Sequence, residues 1–165
     1  MWGAVMELGG GRDLLRPRPR RPLRIEPLEV YDRGGDGHTV SRHCGTSPEV
    51  EAERLERHPM LPATGSFPDV ATAQRSVEAC VAAHRDAVEL WRWSGRARLV
   101  IDHDMRDVIG EVLQRSRWAA GDRSPLPATA VRVVLRRSRR YRAGFAVLTA
   151  YPVLRAGAAT YPRWQ

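Results

Sequence analysis

The 165-residue chain carries 27 basic residues, all of them arginine, against 19 acidic ones, giving a net charge of +8 and a pI near 10.8. That length suits one domain with an appendage, and the charge predicts a polyanionic partner, whether RNA, DNA or an anionic lipid surface. With no lysine an amine-dependent mechanism is excluded, and every phosphate contact from a basic side chain must come from a guanidinium, whose planar fork binds two oxygens at once.

Along the chain, Met1-Trp2-Gly3-Ala4-Val5-Met6-Glu7 has neither a basic n-region nor a long h-region, so no signal peptide is expected. Residues 1–35 centre on Arg16-Pro17-Arg18-Pro19-Arg20-Arg21-Pro22. Proline blocks helix continuation and clustered like charges repel, which predicts an extended arm or linker. After Gly34-Gly35-Asp36-Gly37 the composition becomes one that can fold. His38 to His43 reads as a short helical turn ended at Gly45. Ser47-Pro48 reads as an N-cap with proline at the first helical position, opening a short helix lined by Val50, Leu55, Ala52 and His58.

Residues 60–68 read as a loop. Asp69 then caps a helix predicted over 70–93, whose stripe of Val70, Ala73, Val77, Cys80, Val81, Val88 and Trp91 faces a core. Ser94-Gly95 stops it, and Asp102-His103-Asp104 reads as a turn. Four short runs rich in β-branched residues, 98–101, 108–113, 130–135 and 145–151, predict strands. Pro152 is expected to end the last ladder, the Arg136–Arg140 run to mark a hairpin turn, and residues 155–165 to form a flexible tail. Helices followed by strands argue for an α+β fold with an antiparallel sheet. Cys44 and Cys80 can close one disulfide at most and match no zinc spacing, and no apolar run approaches the roughly 20 residues that cross a bilayer.

Two segments hold most of the chemistry: Gly37-His38-Thr39-Val40-Ser41-Arg42-His43-Cys44-Gly45 and Leu148-Thr149-Ala150-Tyr151-Pro152. His38 and His43, five apart, diverge by about 140° on a helix and cannot share one metal from one face. Imidazole does, however, titrate near working pH. Thr149 and Tyr151 alternate on a strand and so project from one face. Arg42, Arg54 and Arg137 belong to a crowd of arginines whose default is a solvated charge, with Arg42 and the arginine hairpin also candidates for binding substrate phosphates.

On these residues the sequence resembles the bacterial RNase A-like toxin domain found at the C-terminal ends of contact-dependent growth inhibition effectors and other polymorphic toxins. The resemblance covers about Gly35 to Leu154. It rests on Gly37-His38-Thr39 with His43-Cys44-Gly45, on Arg54-Leu55, on Ser66-Phe67-Pro68-Asp69 with Thr72-Ala73, on Trp91 and on Leu148–Pro152. Cys44 stands where valine is usual, and the arginine-proline arm has no counterpart in the family.

The resemblance implies a pancreatic-ribonuclease-like fold, N-terminal helices against a curved antiparallel sheet, over residues 36–154. It implies a site of His43, Arg54, Thr149 and Tyr151 with His38 close by, acting on RNA, tRNA among the candidate substrates, without metal or cofactor. It also implies a monomer that does not insert into membranes, is delivered into a target-cell cytoplasm as part of a toxin system, and is neutralised by an acidic immunity protein. A non-catalytic arginine-rich nucleic-acid-binding module and an inactive toxin remnant are the competing readings.

Overall fold

The computed structural model describes residues 23–155 and 157, and most of the expected arm and tail lies outside them. The chain order is α1 (Leu28–Arg33), α2 (Thr39–His43), α3 (Pro48–Arg57), β1 (Ala63–Ser66), α4 (Val70–Ala83), α5 (Arg85–Trp93), β2 (Arg98–Asp104), β3 (Gly110–Gln114), α6 (Arg115–Ala119), β4 (Leu126–Ala128), β5 (Ala130–Arg137) and β6 (Phe145–Val153). This is an α+β fold with two antiparallel three-stranded sheets, ordered β1-β3-β4 and β2-β5-β6. Among the described residues, no helix is long and apolar enough to cross a membrane.

The core lies between the helices and the β2-β5-β6 sheet. Val77, Val81, Val88 and Trp91 from α4 and α5 meet Leu99, Ile101, Val133, Leu135 and Phe145. Helix α4 begins as expected, with the Asp69 carboxylate accepting the Thr72 amide at 2.6 Å. The single helix expected over 70–93 breaks at His84, which leaves helical geometry at φ −104° and ψ 23° while the apolar stripe continues through α5. Ser94 closes α5, and Gly95 follows at φ +76°, a left-handed position open to glycine.

Several expectations are corrected. The end of the arm is ordered, since α1 buries Leu28 and Tyr31 in the main core. Residues 60–68 contain β1, held by its register with β3 from Ala63↔Gln114 to Ser66↔Glu111. Val50 and His58 of the α3 region are exposed, and the buried members are Leu55 and Glu51, the latter accepting from Thr46 Oγ1 at 2.6 Å. Asp102, His103 and Asp104 are strand residues of β2, paired with β5. Pro152 does not end β6, because β6 is an edge strand, where a missing N–H is tolerated, and pairing with β5 continues to Val153. Cys44 and Cys80 are both free thiols.

Two features bring distant segments together. Residues 37–39 fasten onto β6: the His38 amide donates to Leu148 O at 3.0 Å and the Ala150 amide to Thr39 Oγ1 at 2.9 Å. Gly37 is needed for this approach, since a Cβ there would lie 2.5 Å from Val147 O. Behind them, Asp36 ties the same linker to the β5–β6 connection, pairing with Arg136 and Arg140 and accepting from Tyr141 Oη at 2.9 Å.

Candidate active site

His43 is the last residue of α2 and is 4% exposed. Its carbonyl accepts the Phe67 amide at 2.8 Å, and its Nδ1 lies 3.0 Å from Gly65 O in β1. A carbonyl can only accept, so Nδ1 carries the proton and donates, which leaves Nε2 as the basic nitrogen. Gly65 brings that carbonyl close because β1 is itself pressed between β3 and β6: a Cβ there would sit 3.0 Å from both Glu111 O and Pro152 O. Arg54 Nη1 approaches His43 Nδ1 to 3.4 Å and donates to Arg42 O at 3.4 Å. With Nδ1 already a donor, the Arg54–His43 approach is a charge contact and not a hydrogen bond.

The His43 ring centroid lies 5.2 Å from that of Tyr151 and 6.3 Å from that of His38. Burial lowers the His43 pKa to about 4, and the Arg54 and Arg42 guanidiniums push the same way, as does His38 whenever it is protonated, against the Gly65 hydrogen bond. His38 is lowered too, first by burial and then by Arg42. Both imidazoles are therefore neutral at neutral pH. The charges next to His43 are guanidiniums, so an anion is the ion this site attracts.

Thr149 lies two residues before Tyr151 on β6, is 8% exposed, and has a buried Oγ1 with no hydrogen-bond partner. A buried unpaired hydroxyl carries an energetic cost and is a common mark of a ligand position. Arg42 is exposed at the rim, close enough for its charge to act on both histidines.

The structure thus gathers His43, Arg54, Tyr151, His38 and Arg42, with Thr149 on the strand that supplies Tyr151. Arg137 is not among them. It pairs with Phe145 at the far end of the β5–β6 ladder, roughly 20 Å along the strand from Tyr151 at about 3.3 Å per residue. Its Nη2 donates to the carbonyls of Trp91 and Arg92, closing the C-terminal end of α5. The expected phosphate contact from Arg137 is therefore corrected to a helix-capping role.

Sequence reasoning missed Thr39, which fastens α2 to β6, and Gly65, which orients His43. It also missed Asp102 and Arg132, which align with Tyr151 across three strands. The Gly37-His38-Thr39 motif held a signal for the first. The others depend on register, which a single sequence does not display.

The family described as Bacterial CdiA-CT RNAse A domain matches residues 37–152, which include every residue gathered at the site. Among solved structures, the crystal structure of a CdiA-CT/CdiI complex from Y. kristensenii superposes with a TM-score of 0.63 at 22% identity, covering 71% of this chain and 99% of that one. At that identity the likeness establishes the fold. A comparison with curated proteins finds no match.

Proposed function

Because the chain belongs to the bacterial CdiA-CT RNAse A domain family of ribonuclease toxin domains, we propose that it is an endoribonuclease that cleaves RNA without a metal by 2′-hydroxyl attack on the adjacent phosphate. The observation that carries this reading is His43, buried, neutral and oriented by Gly65 O, with Arg54 3.4 Å from its Nδ1 and the Tyr151 ring 5.2 Å from its own. RNA brings its own nucleophile, so the protein need only move protons and stabilise a crowded, negatively charged phosphorane.

His43 Nε2 takes the proton of the 2′-hydroxyl as that oxygen bonds to phosphorus. A histidine with a pKa lowered to about 4 is a weak base in the empty site, and the arriving phosphate raises its basicity by adding a negative charge beside it. Arg54 neutralises the charge that builds on the non-bridging oxygens. Thr149 offers its unpaired hydroxyl to the same phosphate, and Tyr151 donates a hydrogen bond to it. His38, close to His43 and also neutral in the empty site, is the second proton-transfer group: the arriving phosphate favours its protonation from solvent, and it passes that proton to the departing 5′-oxygen. The products are a 2′,3′-cyclic phosphate and a 5′-hydroxyl.

The Y. kristensenii structure is a complex of a CdiA-CT with CdiI. We extend that pairing to this chain: an acidic immunity protein covers the guanidinium-lined face and keeps RNA out. Domains of this family are delivered into target cells, and the cytoplasm of such a cell is where this chain meets RNA.

The deciding experiment incubates the purified protein with total RNA in excess EDTA and analyses the cleaved ends. Cyclic phosphate ends that disappear in His43→Ala are the expected result. Cleavage that needs Mg²⁺, or that His43→Ala retains in full, overturns the mechanism. Steeply salt-dependent binding without turnover would identify a nucleic-acid-binding module instead.

A further inference from the structure

The β2-β5-β6 sheet carries a transverse polar row next to His43. Asp102 pairs with Arg132 across β2–β5, and Arg132 pairs with Tyr151 across β5–β6. Residues directly opposite in antiparallel strands project from the same face, with Cβ atoms about 4.5–5.5 Å apart. The three side chains therefore stand in one line that ends at the His43 ring, 5.2 Å from that of Tyr151.

Asp102 is fixed from several sides. Its side chain is 1% exposed, Arg132 Nε donates to Oδ1 at 2.8 Å and Nη2 to Oδ2 at 2.8 Å, and the Gly157 amide donates to Oδ2 at 2.7 Å. This two-point contact uses one edge of the guanidinium and sets its plane. Nη1, on the other edge, takes no part in that contact, and the cross-strand neighbour on the β6 side is Tyr151. The protonated guanidinium is held first by hydrogen bonding to Asp102, against the opposing effect of burial, and the Tyr151 side chain is near enough to act on its charge.

A guanidinium has donors and no acceptor. Facing it, a phenol must present its oxygen lone pair, and its own O–H turns elsewhere. Negative charge that develops on the phenol oxygen as it donates is also stabilised by the adjacent cation. We propose that Arg132, held by Asp102, is a positioning residue that makes the Tyr151 hydroxyl a dedicated donor toward the phosphate bound beside His43. This inference rests on the ribonuclease reading and assigns Tyr151 its role within it.

The test compares steady-state RNA cleavage by wild type, Arg132→Lys, Arg132→Gln, Tyr151→Phe and Arg132→Gln/Tyr151→Phe, with thermal melts of each. Lysine keeps a charge for Asp102 but lacks the second arm. Arg132→Lys is expected to stay folded and lose roughly 10–100-fold in kcat, the scale on which supports behind a reacting group act, with KM little changed. Arg132→Gln is expected to cost kcat in the wild-type background but less than about twofold in the Tyr151→Phe background, because its effect passes through the phenol oxygen. Wild-type kcat in Arg132→Lys overturns the inference. So does an equal loss from Arg132→Gln in both backgrounds, which would mean direct contact with substrate or a merely structural role.

A readout without RNA separates this inference from the ribonuclease reading. In protein carrying ¹³C-tyrosine, the Tyr151 ζ-carbon resonance is expected to move in Arg132→Lys while those of Tyr31 and Tyr141 stay in place. An unmoved Tyr151 resonance overturns the positioning role. If wild type cleaves no RNA, the ribonuclease reading fails by itself and the resonance still decides whether Arg132 holds the phenol.

Discussion

Thr39 Oγ1 accepts the backbone N–H of Ala150 at 2.9 Å, a bond that closes 111 residues of chain and joins the helix bearing His43 to the strand bearing Thr149 and Tyr151. Thr39 is 1% exposed, so no water replaces its oxygen when it is lost. Thr39→Val keeps the shape and leaves the Ala150 amide without a partner. The expected loss is about 1–3 kcal/mol of stability, read by urea denaturation, together with weaker RNA cleavage because α2 is less firmly placed on β6. Unchanged stability would show that the bond is dispensable.

The burial of His43 predicts that acid destabilises the fold. Folded His43 binds its proton near pH 4 and the unfolded residue near 6.5, so between those values the unfolded chain takes up a proton that the folded chain refuses. This contribution to stability is whole above pH 6.5 and is lost as pH falls toward 4, by on the order of 3 kcal/mol. The stability difference between wild type and His43→Gln should shrink by about that amount from pH 7 to pH 4. Parallel stability curves would contradict it.

Arg54 is expected to act on both substrate and base. Arg54→Ala removes a guanidinium whose charge lowers the His43 pKa, so that pKa should rise while burial, the larger cause, still holds it below 6.5, a shift that NMR titration of the imidazole reads. Cleavage should nonetheless fall by about 10²–10³-fold, since charge stabilisation on the phosphorane outweighs a stronger base. A variant that cleaves as well as wild type would remove Arg54 from the mechanism.

Arg137 offers the complementary case. Arg137→Ala deprives the Trp91 and Arg92 carbonyls of a charged donor at the end of α5. It should cost about 1.5–3 kcal/mol in a thermal or chemical melt while leaving kcat/KM for RNA close to wild type. A selective loss of RNA affinity with intact stability would return Arg137 to the substrate.

What the sequence displayed depended on how local the cause was. Asp69 as a cap, the stripe through Ala73, Val77, Cys80 and Val81, and the β-branched runs of β2, β5 and β6 are set by neighbours a few residues away. The strand state of Ala63–Ser66 is not, because Ala63 and Gly65 disfavour strands and the segment takes that state from pairing with β3. Helix α1 was hidden for a similar reason: Leu28 and Tyr31 follow an arginine-proline tract that dominates the local composition.

At the site, motif similarity singled out His43, Arg54, Thr149 and Tyr151. It left Asp102 and Arg132 unmarked, since a carboxylate in a presumed turn and one arginine among many acquire meaning only when β2, β5 and β6 are in register. The role of Pro152 was misjudged because whether proline stops a ladder depends on which edge of the strand is free.

Edge strand β6 supplies Thr149 and Tyr151, whereas His43 and Arg54 precede it by about a hundred residues. Under the proposed function, harm has an order in time. A nascent chain that has yet to release β6, or one threaded in extended form through a narrow conduit, holds histidine and arginine without the hydroxyl and phenol that complete the site. It becomes a nuclease only on completing its fold, so whatever slows the docking of that last strand acts as a safety catch for the cell that makes it.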